Sequence, residues 1–167
     1  MKFILGLVVG MLSIPFFAYC YFKLGMAPVG VKDGTMPFEG WAAKTALHTR
    51  IDKEMPRSAP IPASAENLVA GAKVYKENCA ECHGFKGQEQ SAAAKGMFPK
   101  APHLFQGHGV TDDPAGETYW KAAYGIRLSG MPAFKGSLTD EQLWHVSLML
   151  ANADKLPADA EPIVEGK

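Results

Sequence analysis

The 167-residue chain lacks an excess of charge of either sign, since Lys+Arg and Asp+Glu both number 17. Proteins that bind nucleic acid usually carry a strongly basic surface, so this balance argues against a nucleic-acid partner. The chain also lacks internal repeats, and its length suits one modest domain with an extension better than two domains. Residues 1–63 carry seven basic and four acidic side chains, whereas residues 64–167 carry ten basic and thirteen acidic ones. We therefore expect a single, mildly acidic domain over residues 64–167.

Charge is absent altogether from Phe3 to Phe22, a run of twenty residues. At about 1.5 Å per residue, a helix of this length covers the roughly 30 Å of bilayer hydrocarbon. Three aromatic side chains gather at its far end, as they do at membrane interfaces: Tyr19, Tyr21 and Phe22. We therefore expect residues 1–25 to be an uncleaved transmembrane anchor.

Two alternatives for this apolar run stay open. A cleaved secretory signal is the first, although its apolar part is usually shorter and ends at a site of small residues. A lipid attached to Cys20 is the second, although Tyr19 is bulky where such sites have small residues. Neither alternative fits the run as well as an anchor does.

Residues 26–63 are predicted to form a linker, because glycine and proline are frequent at its two ends. Pro37 fits the first turn of a helix, and a weak apolar stripe follows it until Pro56. Five residues share this stripe: Phe38, Trp41, Thr45, His48 and Ile51. Two interpretations remain, a short helix that packs on the following domain and a partly ordered spacer.

Two thiols three positions apart are followed at once by an imidazole in the stretch C-A-E-C-H at residues 79–83. This is the pattern of c-type haem attachment. On one helical turn, Cys79 and Cys82 can each add to a haem vinyl group as a thioether, while His83 is placed under the iron. A thioredoxin-like site would need a βαβ context, and a zinc site would need two further ligands. The third cysteine, Cys20, lies in the apolar run and cannot supply them.

Two amphipathic helices are predicted on either side of this stretch. Ser64 can cap a helix over residues 65–79, and Thr139 can open a capping box for a helix over residues 140–153. Apolar residues recur along one face of each helix: Leu68, Ala72, Tyr75 and Cys79 in the first, and Leu143, Val146, Met149 and Leu150 in the second. Because Gly71 has no side chain, the second helix can cross the first closely there.

From Ser64 to roughly Leu156, about 95 residues, the sequence resembles the class I cytochrome c family. Beyond the attachment stretch, A-P-H-L at residues 101–104, followed by Gly107, is similar to the family's Gly-Pro-x-Leu segment, with alanine in place of the usual glycine. G-M-P-A-F at residues 130–134 is similar to the family's distal loop, and L-T-D-E-Q at residues 138–142 to the start of its last helix. The resemblance implies an all-α class I cytochrome c fold, in which the N- and C-terminal helices cross around one covalently attached haem c (heme c) per chain, preceded by the transmembrane helix.

The resemblance also implies roles for single residues. The carbonyl of Pro102 accepts a hydrogen bond from His83, which fixes the ring, and Leu104 packs on the haem. Met131 is the sixth ligand, and its thioether raises the reduction potential because it favours ferrous iron. The predicted cofactor-binding set is therefore Cys79, Cys82, His83, Met131, Pro102 and Leu104, with His83 and Met131 as the metal ligands.

Three other residues compete with Met131 for the sixth position: His103, His108 and Met97. If Pro102 turns its carbonyl toward His83, the segment that carries both histidines lies on the proximal side of the haem. For Met97 we expect ordinary core filling.

With both axial positions filled, the iron can exchange single electrons, and no small-molecule substrate needs to reach it. We therefore predict an electron-transfer protein, not an enzyme, whose partners are redox proteins such as an oxidase or a dehydrogenase. It would be a single-pass protein of the cell inner membrane with its haem domain in the periplasm. Two alternatives are a fixed cytochrome subunit of a larger oxidase or dehydrogenase complex and a haem enzyme with an open distal position.

Other side chains have more than one interpretation. Trp120 and Arg127 are candidates for binding a haem propionate, against core packing for the first and a surface charge for the second. Three lysines lie beside the segments that resemble the family: Lys86, Lys100 and Lys135. They either form a ring that steers an acidic partner or are ordinary solvated lysines. We expect His145 to face solvent.

Overall fold

The computed structural model describes residues 2–106 and 112–167, and the regular elements in those ranges are all helices. In chain order they are α1 (Lys2–Lys23), α2 (Glu39–Glu54), α3 (Ala65–Asn78), α4 (Ala80–His83), α5 (Ala92–Lys95), α6 (Ala115–Tyr124), α7 (Asp140–Ala151) and α8 (Glu161–Val164). The predicted all-α fold is confirmed.

The chain divides into two compact units, residues 1–43 and residues 44–167. In the first unit, the 22-residue helix α1 has a mean hydropathy of 2.2 over its most apolar window, and none of that window is buried. Among the described residues it is the one helix long and apolar enough to cross a membrane. This apolar N-terminal helix indicates anchoring to a membrane.

The second unit includes the second half of α2. Ile51 in that half is 1% exposed, and the Trp120 indole N–H of α6 donates a hydrogen bond to Glu54 Oε2 at 3.2 Å. Residues 44–54 therefore form a packed helix, which was one of the two interpretations that the sequence left open. The assignment of residues 1–25, 26–63 and 64–167 to anchor, linker and haem domain stays a prediction.

Helices α3 and α7 cross at Gly71, as predicted. A Cβ atom placed on Gly71 would lie 2.2 Å from the carbonyl oxygen of His145 and 2.7 Å from Met149 Cβ, so the two backbones touch there. Both helices have side-chain caps, Ser64 on α3 and the reciprocal capping box of Thr139 and Gln142 on α7. The buried residues around the crossing come from the two predicted apolar faces, among them Leu68, Ala72, Tyr75, Val146, Met149 and Leu150.

Helix α6 extends this core on its other side. The ring of Tyr119 stacks on Trp144 of α7 with 4.4 Å between centroids, and its hydroxyl donates to Asp140 Oδ1 at 2.8 Å. Sequence analysis did not predict α8, which is four residues long and too short for an apolar period to appear. Its Val164 is fully buried against the α3–α7 core, and the carbonyl of Val164 accepts a hydrogen bond from the backbone N–H of Lys86 at 2.8 Å.

Candidate haem site

The attachment stretch forms a tight turn at the end of α3. The backbone N–H groups of Cys82 and His83 both donate to the carbonyl of Cys79, at 3.1 and 2.9 Å, so the three side chains project from one turn. Neither Cys79 nor Cys82 is in a disulfide. Burial, with a smaller contribution from Cys82, raises the pKa of the Cys79 thiol to about 12. The site therefore favours a neutral sulfur over a thiolate.

The ring of His83 is fixed by Pro102. Nδ1 of His83 lies 2.8 Å from the carbonyl oxygen of Pro102, and because a carbonyl only accepts, Nδ1 carries the proton. Nε2 then holds the lone pair and has no hydrogen-bond partner in the described part of the chain. Burial lowers the pKa of His83, and the neighbouring His103 lowers it further, although the bond to Pro102 opposes both. A neutral imidazole with a free Nε2 is the form that binds a metal.

The turn before Pro102 accommodates alanine where the family usually has glycine. Among the described residues, the non-glycine residues with positive φ are Phe38 and Leu128, so Ala101 is not in the left-handed region. Leu104 is half-buried, and it packs against the α3–α7 core. The predicted contact between Leu104 and the haem stays a prediction.

Met131 lies in a loop that starts at the end of α6. Gly125 ends that helix with φ of +66°, and a Cβ atom on it would lie 2.7 Å from the backbone nitrogen of Ala133, so only glycine fits. Within the loop, the N–H of Ile126 donates to the carbonyl of Met131 at 3.2 Å, and Ser129 Oγ accepts from the N–H of Met131 at 3.2 Å. These bonds fix the backbone of Met131, whose side chain is half-buried.

Two of the three competitors for the sixth position, His103 and Met97, have other contacts. His103 uses both ring nitrogens, since Nδ1 accepts from the N–H of Phe105 at 3.2 Å and Nε2 lies 2.9 Å from the carbonyl oxygen of Gln88. Met97 packs on the Met131 loop, with its Sδ 3.0 Å from the position of a Cβ atom on Gly130. The landmark Gly107 and the competitor His108 lie outside the described residues.

One of the remaining expectations needs correction, and for another the structure favours one of its two interpretations. The side chain of His145 is only 13% exposed and its Nε2 has no hydrogen-bond partner among the described residues, because the close approach at Gly71 draws this part of α7 against α3. Trp120 is buried and donates its indole N–H to Glu54, which supports core packing over a contact with a propionate. Arg127 is exposed, and a propionate contact for it stays a prediction.

One of the three lysines predicted to steer a partner, Lys86, is paired with an acidic side chain. Lys86 Nζ donates to both carboxylate oxygens of Glu161, at 2.9 and 2.8 Å, and each side chain is about one-third exposed. Lys100 is exposed and has no ion pair in the described residues, and Lys135 Nζ lies 5.5 Å from the centroid of the Tyr124 ring.

Two further contacts of the site were not predicted from the sequence, although Tyr75 itself was predicted on the apolar face of its helix. The Tyr75 hydroxyl donates to the carbonyl of Gly84 at 2.6 Å, and the Gln90 amide reaches the carbonyls of Cys82 and Ala101 at 2.8 and 3.0 Å. An amide in a polar loop has no pattern that distinguishes it from a solvated one, so no sequence signal pointed to Gln90.

The residues present fit a covalently held haem. Two unbridged cysteines on one turn, followed directly by a histidine, suit the two thioethers of a covalently held haem. The histidine beside them presents a free Nε2. No group of three or more His, Cys, Asp or Glu side chains that could hold a metal ion occurs in residues 2–106 and 112–167.

The chain is also similar to known proteins. A family model described as cytochrome c oxidase, cbb3-type, subunit III matches residues 66–148. Thiosulfate dehydrogenase of Stutzerimonas stutzeri is 32% identical over 108 residues, which cover 64% of this chain and 33% of that protein. The cbb3-type cytochrome c oxidase subunit FixP of Rhizobium meliloti is 32% identical over 112 residues, 59% of this chain and 34% of that subunit. The chain thus spans about a third of the length of the curated relatives it matches.

Proposed function

Because residues 66–148 form a domain of the cytochrome c family, we propose that the chain is a single-electron carrier with one covalently attached haem c. In this proposal Cys79 and Cys82 would form the two thioethers, and His83 and Met131 would be the ligands of the iron. The observation that carries it is the 2.8 Å contact between His83 Nδ1 and the Pro102 carbonyl, because it leaves Nε2 free and fixes its direction.

When bound, the haem supplies one-electron redox chemistry. The residues of the chain would hold the haem and limit its reactions. Cys79 and Cys82 make its attachment permanent, and Pro102 prevents His83 from rotating. The backbone bonds of Ser129 and Ile126 keep Met131 at a fixed place in its loop. If His83 and Met131 both held the iron, no position would be open to an outside molecule, which favours electron transfer over substrate chemistry.

The partners we propose are redox proteins, an oxidase or a dehydrogenase. The relatives support this class, since they are named as an oxidase subunit and a dehydrogenase. The apolar helix α1 supports a membrane-held protein, and we place the haem domain on the periplasmic side of the inner membrane. Isolation in mild detergent distinguishes a fixed subunit, which co-purifies with its complex in constant ratio, from a tethered carrier, which comes away alone.

The exposed lysines support a docking role for two of the three predicted positions. Since Lys86 is neutralised by Glu161, we propose that Lys100 and Lys135 steer an acidic partner. The rate of electron transfer to the co-purifying partner should fall as salt rises, and Lys100→Gln and Lys135→Gln should weaken that dependence. The exposed Lys73 on α3 is the matched control. A transfer rate that does not change with ionic strength would remove the docking role.

The decisive test of the haem proposal is Met131→Ala. The variant should keep its covalent haem, lose the weak red-edge absorption of ferric iron bound to methionine sulfur, and have a lower reduction potential. Met97→Ala is the matched control and should keep the absorption, since Met97 packs on Gly130. A wild-type ferric spectrum without this band, together with spectroscopic evidence for two imidazole ligands, would overturn Met131 in favour of a histidine.

A further inference from the structure

The hydrogen bond between His83 and Pro102 joins two exposed or half-exposed stretches of chain, and proline contributes little to holding it. Pro102 is exposed and has no N–H, so it cannot anchor itself by packing or by donating a hydrogen bond. The direction of its carbonyl must therefore be set by the residues on either side of it.

Gln90 joins the residues that precede the two bonded groups. Its Nε2 lies 2.8 Å from the carbonyl oxygen of Cys82, just before His83, and 3.0 Å from that of Ala101, just before Pro102. Carbonyl oxygens only accept hydrogen bonds, so the amide nitrogen must face both, and its two N–H groups are both used. Gln90 is half-buried, which protects these bonds from competition with water.

His103 joins the residues that follow the two bonded groups. Its Nδ1 accepts from the N–H of Phe105, so Nε2 carries the proton and donates to the carbonyl of Gln88 at 2.9 Å. The ring also lies against Gly84, the residue after His83, since a Cβ atom there would be 2.6 Å from Nε2 of His103. The His83–Pro102 bond is thus bracketed on both sides by side chains that join the same two stretches.

We propose that Gln90 and His103 are positioning residues, which hold the Pro102 carbonyl against His83 and thereby help to set the reduction potential of the haem. The inference rests on the proposed function, since it assumes an iron bound to Nε2. A hydrogen bond from Nδ1–H makes the imidazole more basic, and a more basic ligand favours ferric iron. Loosening the carbonyl should therefore raise the potential.

The test uses the full-length haem-loaded protein and the Gln90→Met variant. Methionine has a similar length to glutamine and no charge, but it cannot donate. We expect a higher reduction potential in an equilibrium redox titration. We also expect the His83 Nδ1 proton to exchange roughly tenfold faster by NMR, because one restraining hydrogen bond is lost. The red-edge absorption should be unchanged, because the sulfur ligand is not touched.

Gln106→Met is the matched control. Gln106 is exposed, and its amide lies 3.5 Å from the carbonyl of Gln88, too far for a strong bond. Its potential and proton exchange should equal those of the wild type. His103→Phe keeps a ring against Gly84 without the two nitrogens, and it should shift the potential in the same direction as Gln90→Met.

Each outcome decides the proposal. A haem-loaded Gln90→Met protein with wild-type potential and wild-type exchange, even at lower stability, shows a structural role only and overturns it. If the variant does not accumulate, hydrogen exchange of the side-chain amides in the wild type provides the test. Exchange that is much slower at Gln90 than at Gln106 supports the proposal, and equal exchange at both overturns it. A wild type without covalent haem refutes the proposed function instead, and the same amide comparison still tests whether Gln90 joins the two stretches.

Discussion

The α3–α7 crossing and the loop of residues 126–137 are held in place by different forces. At the crossing, side chains such as Ala72 and Met149 have no exposed surface, and backbone touches backbone at Gly71. In the loop no side chain is fully buried, and the chain is fixed by hydrogen bonds, including those from the N–H groups of Phe134 and Lys135 to α6 at 3.0 and 3.1 Å. The crossing should therefore respond to changes in volume, and the loop to changes in backbone conformation.

Gly71→Ala gives the largest expected effect, because it adds volume where none is available. The new Cβ would lie 2.2 Å from a carbonyl oxygen of α7, so the helices must separate. We expect the free energy of unfolding to fall by about 3 kcal/mol or more, measured by chemical denaturation. Gly40→Ala in α2 is the control, since a Cβ there meets nothing within 4 Å. A mild effect at Gly71 would mean that the crossing is looser than the contact distances indicate.

Tyr75→Phe tests a side-chain hydrogen bond that joins the crossing to the attachment turn. The ring stays in place, but the buried carbonyl of Gly84 loses the hydroxyl that donates to it at 2.6 Å. An unsatisfied buried acceptor of this kind should cost about 2 kcal/mol of unfolding free energy. Tyr124→Phe, at a tyrosine that is 52% exposed, should change stability little. Equal effects at both tyrosines would show that the hydroxyl of Tyr75 is solvated.

Thr139→Ala removes a cap at the junction of the loop and α7. The threonine hydroxyl accepts from the N–H of Gln142 at 3.2 Å, and Gln142 Oε1 accepts from the N–H of Thr139 at 2.8 Å. We expect a loss of about 1 kcal/mol by thermal or chemical unfolding. Thr139→Ser keeps the oxygen and should recover most of it, so a serine variant as unstable as the alanine variant would refute the role of the cap.

Leu128→Gly should have the smallest effect and the opposite sign. Leu128 has φ of +61° and is 89% exposed, so its backbone is strained and its side chain adds no packing within the fold. Relief of this strain should stabilise the protein by up to about 1 kcal/mol. Leu128→Ala removes the same side-chain bulk but keeps the strain, so the difference between the two variants isolates the backbone contribution. Destabilisation by glycine alone would indicate that the loop needs a stiff residue there.

The sequence determined the parts of this protein that depend on neighbours along the chain. Ser64 and Thr139 begin α3 and α7 because each cap needs only the residues three positions ahead. The apolar faces and Gly71 specified that these helices cross. Cys79, Cys82 and His83 share one turn because their spacing places them there, and the length of the run from Phe3 to Phe22 made α1 a candidate to span a membrane.

Only the tertiary structure decided which distant groups meet. Lys86 pairs with Glu161, 75 residues away, and so it is not a free docking charge. Gln90 and His103 bracket the His83–Pro102 bond, although no local pattern marked Gln90 and the sequence suggested His103 only as a competing iron ligand. Helix α8 covers the core without a local pattern that predicted it. The physical reason is that caps and helical periods are set by nearest neighbours, whereas the partner of a long polar side chain depends on where the folded chain returns.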